Sequence, residues 1–346
     1  MGGGDRRRGG CRGAPLYRKA RRMTQMPRAL IVAGPTASGK SALALGLAER
    51  LGGVVINADS MQLYRELRVL TARPTPAEEA LVPHRLYGVR PAAEAASVAW
   101  WRGAALAEMA AARAAGRLPI LCGGTGLYVL SLTEGLSAIP PVPALARAEA
   151  RDLLARLGAP ALHARLAELD PETAAGLRPG DSQRIARAYE VWRGTGRGLR
   201  AWQREGGHSG KAPWRFAALL LDPPREALRA AIAARFDAML AAGALEEVRA
   251  LGAQGLDPAL PAMRAHGVPE LLAVLAGRLP LAEARKRAIL NTVRYTKRQG
   301  TWFRHHQLAD PADPPLTHSI HARIHDPAQF QESDAPQIFA FLQGMR

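Results

Sequence analysis

Between Gly34 and Ser41 the chain reads GPTASGKS, which meets every fixed position of the phosphate-binding pattern G-x-x-x-x-G-K-[ST]. Gly34, Pro35, Thr36, Ala37, Ser38, Gly39, Lys40 and Ser41 form the candidate cradle. Gly34 and Gly39 let successive backbone N–H groups point inward, and the start of a helix adds partial positive charge. Lys40 reaches the terminal phosphates and Ser41 can ligate Mg²⁺. The pattern alone does not say whose phosphates are held. Hydrolases and kinases of this class add an acid at the end of another strand, and Asp222 in ALLLDPP either fills that role or turns the chain ahead of Pro223 and Pro224. Asp59 ends the apolar run GGVVINADS, on the rim where open α/β sheets place ligands; it can be a general base, a metal ligand or a helix N-cap for SMQLYREL. Thr125 in CGGTGLY ends a third such run, where its hydroxyl either contacts substrate or caps a helix.

The elements that must position these groups alternate. RALIVAGP is a short apolar run ending in Gly and Pro, and SALALGLAERLG follows with apolar residues at helical spacing and a Gly stop. GGVVINADS and RLPILCGG repeat the strand pattern, with the helical SVAWWRGAALAEMAAARAAG ahead of the latter. Such alternation implies an α/β fold, a parallel sheet flanked by helices. From about residue 136 the strands vanish and helical pattern takes over, broken by Pro140, Pro141, Pro143, Pro171 and Pro179. An inserted all-helical subdomain over 136–213 is expected. WRFAALLLDPP returns to strand and two long helical stretches follow, so 28–135 and 214–306 make the core and 307–346 reads as a C-terminal tail, with APQIFAFLQGMR as a short last helix.

Composition narrows the partners. The 346 residues carry 47 Lys and Arg against 30 Asp and Glu, a formal charge of +17. Residues 1–28 hold nine of the basic residues and only Asp5, so the rest of the chain retains +9 and still favours a polyanion. The segment 1–27 is rich in Gly and Arg with no sustained apolar run and is expected to be a disordered basic tail, with Met23 or Met26 as a candidate start. No stretch is long and apolar enough for a membrane span, and two cysteines, Cys11 and Cys122, exclude a disulfide framework and thiolate zinc sites. A soluble protein of a reducing cytoplasm is expected.

Taken together the motifs resemble the tRNA dimethylallyltransferases, also called tRNA isopentenyltransferases, of the IPP transferase family. The matching runs are GPTASGKS, NADSMQLY, TARPT, PHRLYGV, GGTGLY, DSQRIARAYEV, GTGR, ARFDAML and KRQGTWFR, in the family's order over about residues 28 to 305. The resemblance implies a P-loop NTPase-like core in which the cradle holds the diphosphate of dimethylallyl diphosphate rather than ATP. Lys40, the loop amides, Mg²⁺ on Ser41 and Arg235 would neutralise the leaving group, with the Thr36 hydroxyl nearby. Asp59 would accept the proton of the attacking adenine amine.

The implied partner is tRNA through its anticodon stem-loop, met by a monomeric enzyme with no membrane association. By similarity the contacts are Asp59, Ser60, Met61, Gln62, Thr125 and Arg147, together with Gln183, Arg184, Ile185, Ala186 and Arg187. Arg184 and Arg187 stand three apart on one helical face, which suits phosphates or is simply a solvated basic face. Lys297, Arg298 and Trp302 either contact the RNA or serve solvent and core. The target adenosine must leave its stack before N6 can react. A small-molecule or nucleotide kinase is the alternative, since the loop alone fits it equally, and an RNA-binding protein that kept only the fold is a third. The chain departs from the family at Leu70, Gly88 and Val268, and His305–His306 lacks the cysteine partners of a zinc finger.

Overall fold

The computed structural model describes residues 26–205, 208–312 and 315–343; the expected basic tail, all but its last two residues, lies outside them. Two compact units emerge, one comprising the chain through Thr133 and from Ala212 onward, the other Glu134–Lys211.

In the first unit β1 (Arg28–Ala33) leads through the glycine-rich loop into α1 (Lys40–Leu51), and β2 (Gly53–Asn57) follows at once. Then come α2 (Pro76–Leu81), β3 (His84–Arg85), α3 (Val98–Ala114), β4 (Leu118–Gly123) and α4 (Gly126–Thr133). The second unit holds β5 (Leu136–Ser137), α5 (Ala144–Leu169), α6 (Pro171–Ala175), α7 (Ser182–Thr195), α8 (Leu199–Glu205) and β6 (His208–Ser209). It is helical apart from the two-residue antiparallel ladder of β5 with β6, which ties its ends together. Within α5 the helix breaks at Gly158, two residues ahead of Pro160, whose ring and missing N–H cannot continue the ladder. Leu153, Leu162, Leu166, Ile185 and Tyr189 make this unit's own core.

The first unit resumes with β7 (Arg215–Leu221), α9 (Arg225–Ala241), α10 (Ala244–Gly252), α11 (Val268–Leu275), α12 (Leu281–Arg304), β8 (Thr317–Ile320) and α13 (Pro336–Gln343). Its sheet has six parallel strands in the order β3-β2-β4-β1-β7-β8. Ile31 stands level with Leu121 on one side and Ala218 on the other. Beyond their partly exposed first residues, Arg28 and Arg215, β1 and β7 are buried apolar runs, and β4 is buried throughout, because helices cover both faces. α1 buries Leu43, Ala44, Leu47 and Ala48, the spacing of a single helical face.

Within the expected tail at 307–346, the described residues 315–343 are instead folded. β8 pairs with β7 from Ala218 opposite Thr317 to Leu221 opposite Ile320, and α13 buries Ile338, Phe339, Phe341 and Leu342. Arg28 and Arg215 each lie 5.0 Å from the centre of the Phe341 ring, which fixes this helix against the start of β1 and β7. The departures from the family pattern also have a packing basis. Leu70 and Val268 are buried in one cluster around α9, α10 and α11, and a Cβ on Gly88 would overlap the Arg73 guanidinium.

Candidate active site

The carboxyl ends of β1, β2 and β4 bring together the glycine-rich loop, Asp59 and Thr125. In the loop Gly39 has φ 94°, and Ala37, with φ 66°, is a non-glycine residue in the left-handed region. A Cβ on Gly39 would overlap the carbonyl of Ile324. Lys40 is buried, with its Nζ 3.4 Å from the Pro35 carbonyl. Burial pushes its pKa down, Asp59 and Cys122 oppose that shift, and Arg235 adds to it. Ser38 is fully buried, and its hydroxyl has no hydrogen-bond partner among the described residues. Ser41 is exposed at the first turn of α1. No described residues form a group of three or more His, Cys, Asp or Glu able to hold a metal ion.

Asp59 is held from both sides. The Asn57 side chain accepts from the Asp59 N–H (2.8 Å) and donates to the carbonyls of Asp59 and Leu86 (3.0 Å each). The Asp59 carboxylate accepts from the Met61 N–H at 2.9 Å. No helix begins at Ser60, so the helix-cap reading of Asp59 falls: the carboxylate closes a bend and remains half-exposed. The Thr125 hydroxyl likewise turns toward Ser60, accepting its N–H at 3.0 Å and meeting its Oγ at 3.3 Å, rather than capping α4.

Arg235 of α9 is half-buried and donates to the Thr71 carbonyl at 3.2 Å. Burial lowers its pKa, Asp59 opposes the shift, and Arg323 contributes to it. The charge of one carboxylate, Asp59, thus favours the protonated forms of both Lys40 and Arg235. Gln62 donates from Nε2 to the carbonyls of Thr71 and Ala72 (3.0 and 2.9 Å), which engages its amide with its own loop. That loop is anchored by Glu247 of α10, whose carboxylate accepts the N–H groups of Arg68, Val69 and Leu70 at 2.7, 2.7 and 2.9 Å. Three charge-assisted bonds to one carboxylate set where the Thr71 carbonyl, and hence Arg235, comes to rest.

Gln299 of α12 was not singled out from the sequence. Only 5% exposed, it accepts from the Thr36 N–H at 2.9 Å and the Thr36 hydroxyl at 3.2 Å, and donates to the Gly124 carbonyl at 2.9 Å. It joins the glycine-rich loop to the GGTG turn. Its neighbours Lys297 and Arg298 are exposed, while Trp302 is half-buried and stacks on His306 at 3.9 Å. Asp222 pairs with Arg304 at 3.1 Å, so the acid that a kinase reading needs is engaged in an ion pair.

In the second unit Arg147 is exposed and donates to the Val142 carbonyl (2.8 Å). Gln183, Arg184 and Arg187 are exposed on α7, where Arg184 pairs with Asp181 and Arg187 with Glu190 (3.5 and 2.6 Å). Ile185 is fully buried and Ala186 half-buried, so within the run 183–187 the Ile185 side chain packs the core of this unit.

The IPP transferase family model matches residues 62–306, and the isopentenyl transferase model residues 27–90. The tRNA dimethylallyltransferase of Acidiphilium cryptum (strain JF-5) is 60% identical over 329 residues, covering 92% of this chain and 99% of its own. That of Granulibacter bethesdensis is 60% identical over 315 residues, covering 91% and 98%. Among solved structures, the full-length tRNA isopentenylpyrophosphate transferase of Bacillus halodurans superimposes with a TM-score of 0.64 at 30% identity, over 92% of this chain and 97% of that one. A eukaryotic dimethylallyltransferase acting on tRNA shares the fold at a TM-score of 0.71 and 24% identity, over 90% of this chain and 77% of that one. The loop, the acid beside it and the match along most of its length place this chain in the IPP transferase family.

Proposed function

We propose that the protein transfers a dimethylallyl group from dimethylallyl diphosphate to the exocyclic N6 of the adenosine immediately 3′ of the anticodon in tRNA, releasing diphosphate. The observation that carries the reading is the glycine-rich loop with its buried Lys40 set beside Asp59 and Thr125 at the carboxyl ends of neighbouring strands, where the Asp59 charge acts on both Lys40 and Arg235. In the reaction the allylic C–O bond breaks and its electron pair leaves with the diphosphate. The N6 lone pair forms the new C–N bond, and the N6 proton passes to the Asp59 carboxylate. Lys40, Arg235 and the loop amides would hold the charge that develops on the departing group.

Mg²⁺ fits this site only as a substrate-bound ion. Ser41 offers one exposed hard oxygen, and the remaining ligands would be diphosphate oxygens and water. When bound, the ion supplies charge neutralisation to the diphosphate. The Asp59–Gln62 bend and Thr125 approach the extruded base, while the exposed Arg147, Gln183, Arg184 and Arg187 of the helical unit take phosphates of the anticodon arm. The enzyme acts in the cytoplasm as a monomer; none of the described helices is long and apolar enough to cross a membrane.

The test is transfer of radiolabelled dimethylallyl from its diphosphate to an anticodon stem-loop, with and without the target adenosine. Label in the first RNA alone, with no nucleoside triphosphate added, is expected. Phosphorylation of a metabolite at the expense of ATP, without RNA labelling, would overturn the reading.

A further inference from the structure

We infer that Arg323, carried onto the glycine-rich loop by the segment that follows β8, is an additional diphosphate-binding residue. The inference rests on the reading of that loop as a diphosphate site. Three contacts seat the segment. Arg323 donates from Nε to the Ala37 carbonyl at 2.8 Å, the Ile324 N–H donates to the Ser38 carbonyl at 3.1 Å, and the Ile324 carbonyl occupies the space a side chain at Gly39 would need. Farther along, Pro327 fills the space beside Gly46, and Arg50 donates to the Phe330 carbonyl at 3.0 Å. The segment is thus held along α1 as well as at the loop.

The charge arrangement gives Arg323 its purpose. It is half-buried, and among the described residues no carboxylate pairs with it; its other partner is the His325 ring, with Nε2 at 3.1 Å. Arg323 also lies close enough to Arg235 to disfavour the charge there. Like charges thus meet in two pairs, Lys40 with Arg235 and Arg235 with Arg323, while the Asp59 carboxylate acts on Lys40 and Arg235. Crowding like charges in this way costs energy unless an anion joins them. A guanidinium presents five N–H donors in a planar fork, more than Ala37 and His325 can take up, and the remainder suit the oxygens of a diphosphate.

The probe is inorganic pyrophosphate, titrated calorimetrically into the full-length protein and into Arg323→Gln, Arg323→Ala and Arg323→Lys. Arg323→Gln removes the charge while keeping an amide donor for Ala37, so it separates charge from anchoring. A rise of about tenfold in the pyrophosphate Kd is expected for Gln and Ala, the worth of one charge-assisted hydrogen bond, with partial recovery in Lys. The KM for dimethylallyl diphosphate should rise in step, while the Kd for the stem-loop stays unchanged. If Arg323→Gln binds pyrophosphate as the wild type does, or if pyrophosphate and stem-loop binding weaken equally, the inference fails. Failure of the wild type itself to bind pyrophosphate would instead sink the diphosphate reading of the loop.

Discussion

Gln299→Ala isolates the link between the two loops that flank the reacting groups. The wild-type amide is 5% exposed and hydrogen-bonds to the N–H and hydroxyl of Thr36 and to the Gly124 carbonyl. Truncation leaves the Thr36 N–H and the Gly124 carbonyl without these partners, at about 1–3 kcal/mol for each group. Water entering the vacated space would return part of this, so a net loss of about 2–4 kcal/mol is expected. At about 2 °C per kcal/mol for a unit of this size, the melting temperature should fall by about 4–8 °C. Activity should fall further than stability alone explains, because Thr36 belongs to the diphosphate cradle and a displacement of about 1 Å there costs on the order of 100-fold in kcat/KM. Gln299→Glu preserves shape but places a carboxylate oxygen against the Gly124 carbonyl, and should also be impaired. Calorimetric melting and initial-rate kinetics with dimethylallyl diphosphate read both effects. A Gln299→Ala protein that melts with the wild type and keeps its kcat/KM would refute the reasoning.

Asp59→Asn should lower kcat by about 10²–10⁴-fold, the usual worth of a positioned base. Its pyrophosphate affinity should hold or improve, because a negative charge beside Lys40 and Arg235 has been removed; weakened binding in titration would contradict the base assignment. Gly39→Ala combines a φ of 94° with a methyl that overlaps the Ile324 carbonyl, so it should lose at least about 2 kcal/mol and loosen the C-terminal segment, read by thermal melting and limited proteolysis. Burial pushes the Cys122 thiol up to about 11, so at pH 8 it is protonated and shielded. Iodoacetamide should leave Cys122 unmodified in the native protein and alkylate it after unfolding, as mass spectrometry of the tryptic peptides would show.

Much of the site is local in sequence and was legible for that reason. The cradle, Asp59 and Thr125 each end an aliphatic strand, and a parallel sheet places all such ends on one rim. Gln299 escaped because its partners lie far away in the chain, at Thr36 and Gly124. A signal was nonetheless present: Thr296, Gln299, Gly300 and Phe303 recur at helical spacing, so a long polar side chain fell on the buried face between the conspicuous Arg298 and Trp302. Glu247 gave no comparable sign, since an acid in the first turn of α10 reads as ordinary dipole compensation until the backbone of 68–70 is seen against it. β8 was hidden because it is four residues at a sheet edge, mostly half-buried and without aliphatic alternation; its pairing with β7 supplies what its own sequence does not. From sequence alone, the segment beyond it, Arg323 included, therefore reads as tail.

The central claim is that the cradle around Lys40 holds the departing diphosphate while Asp59 faces the incoming amine. A crystal structure with a non-hydrolysable thio analogue of dimethylallyl diphosphate and an anticodon stem-loop tests it most directly. The account requires diphosphate density against the loop amides, Lys40 and Arg235, with the Asp59 carboxylate within hydrogen-bonding reach of the extruded adenine N6. Diphosphate bound elsewhere, or an adenine amine turned away from Asp59, would contradict it.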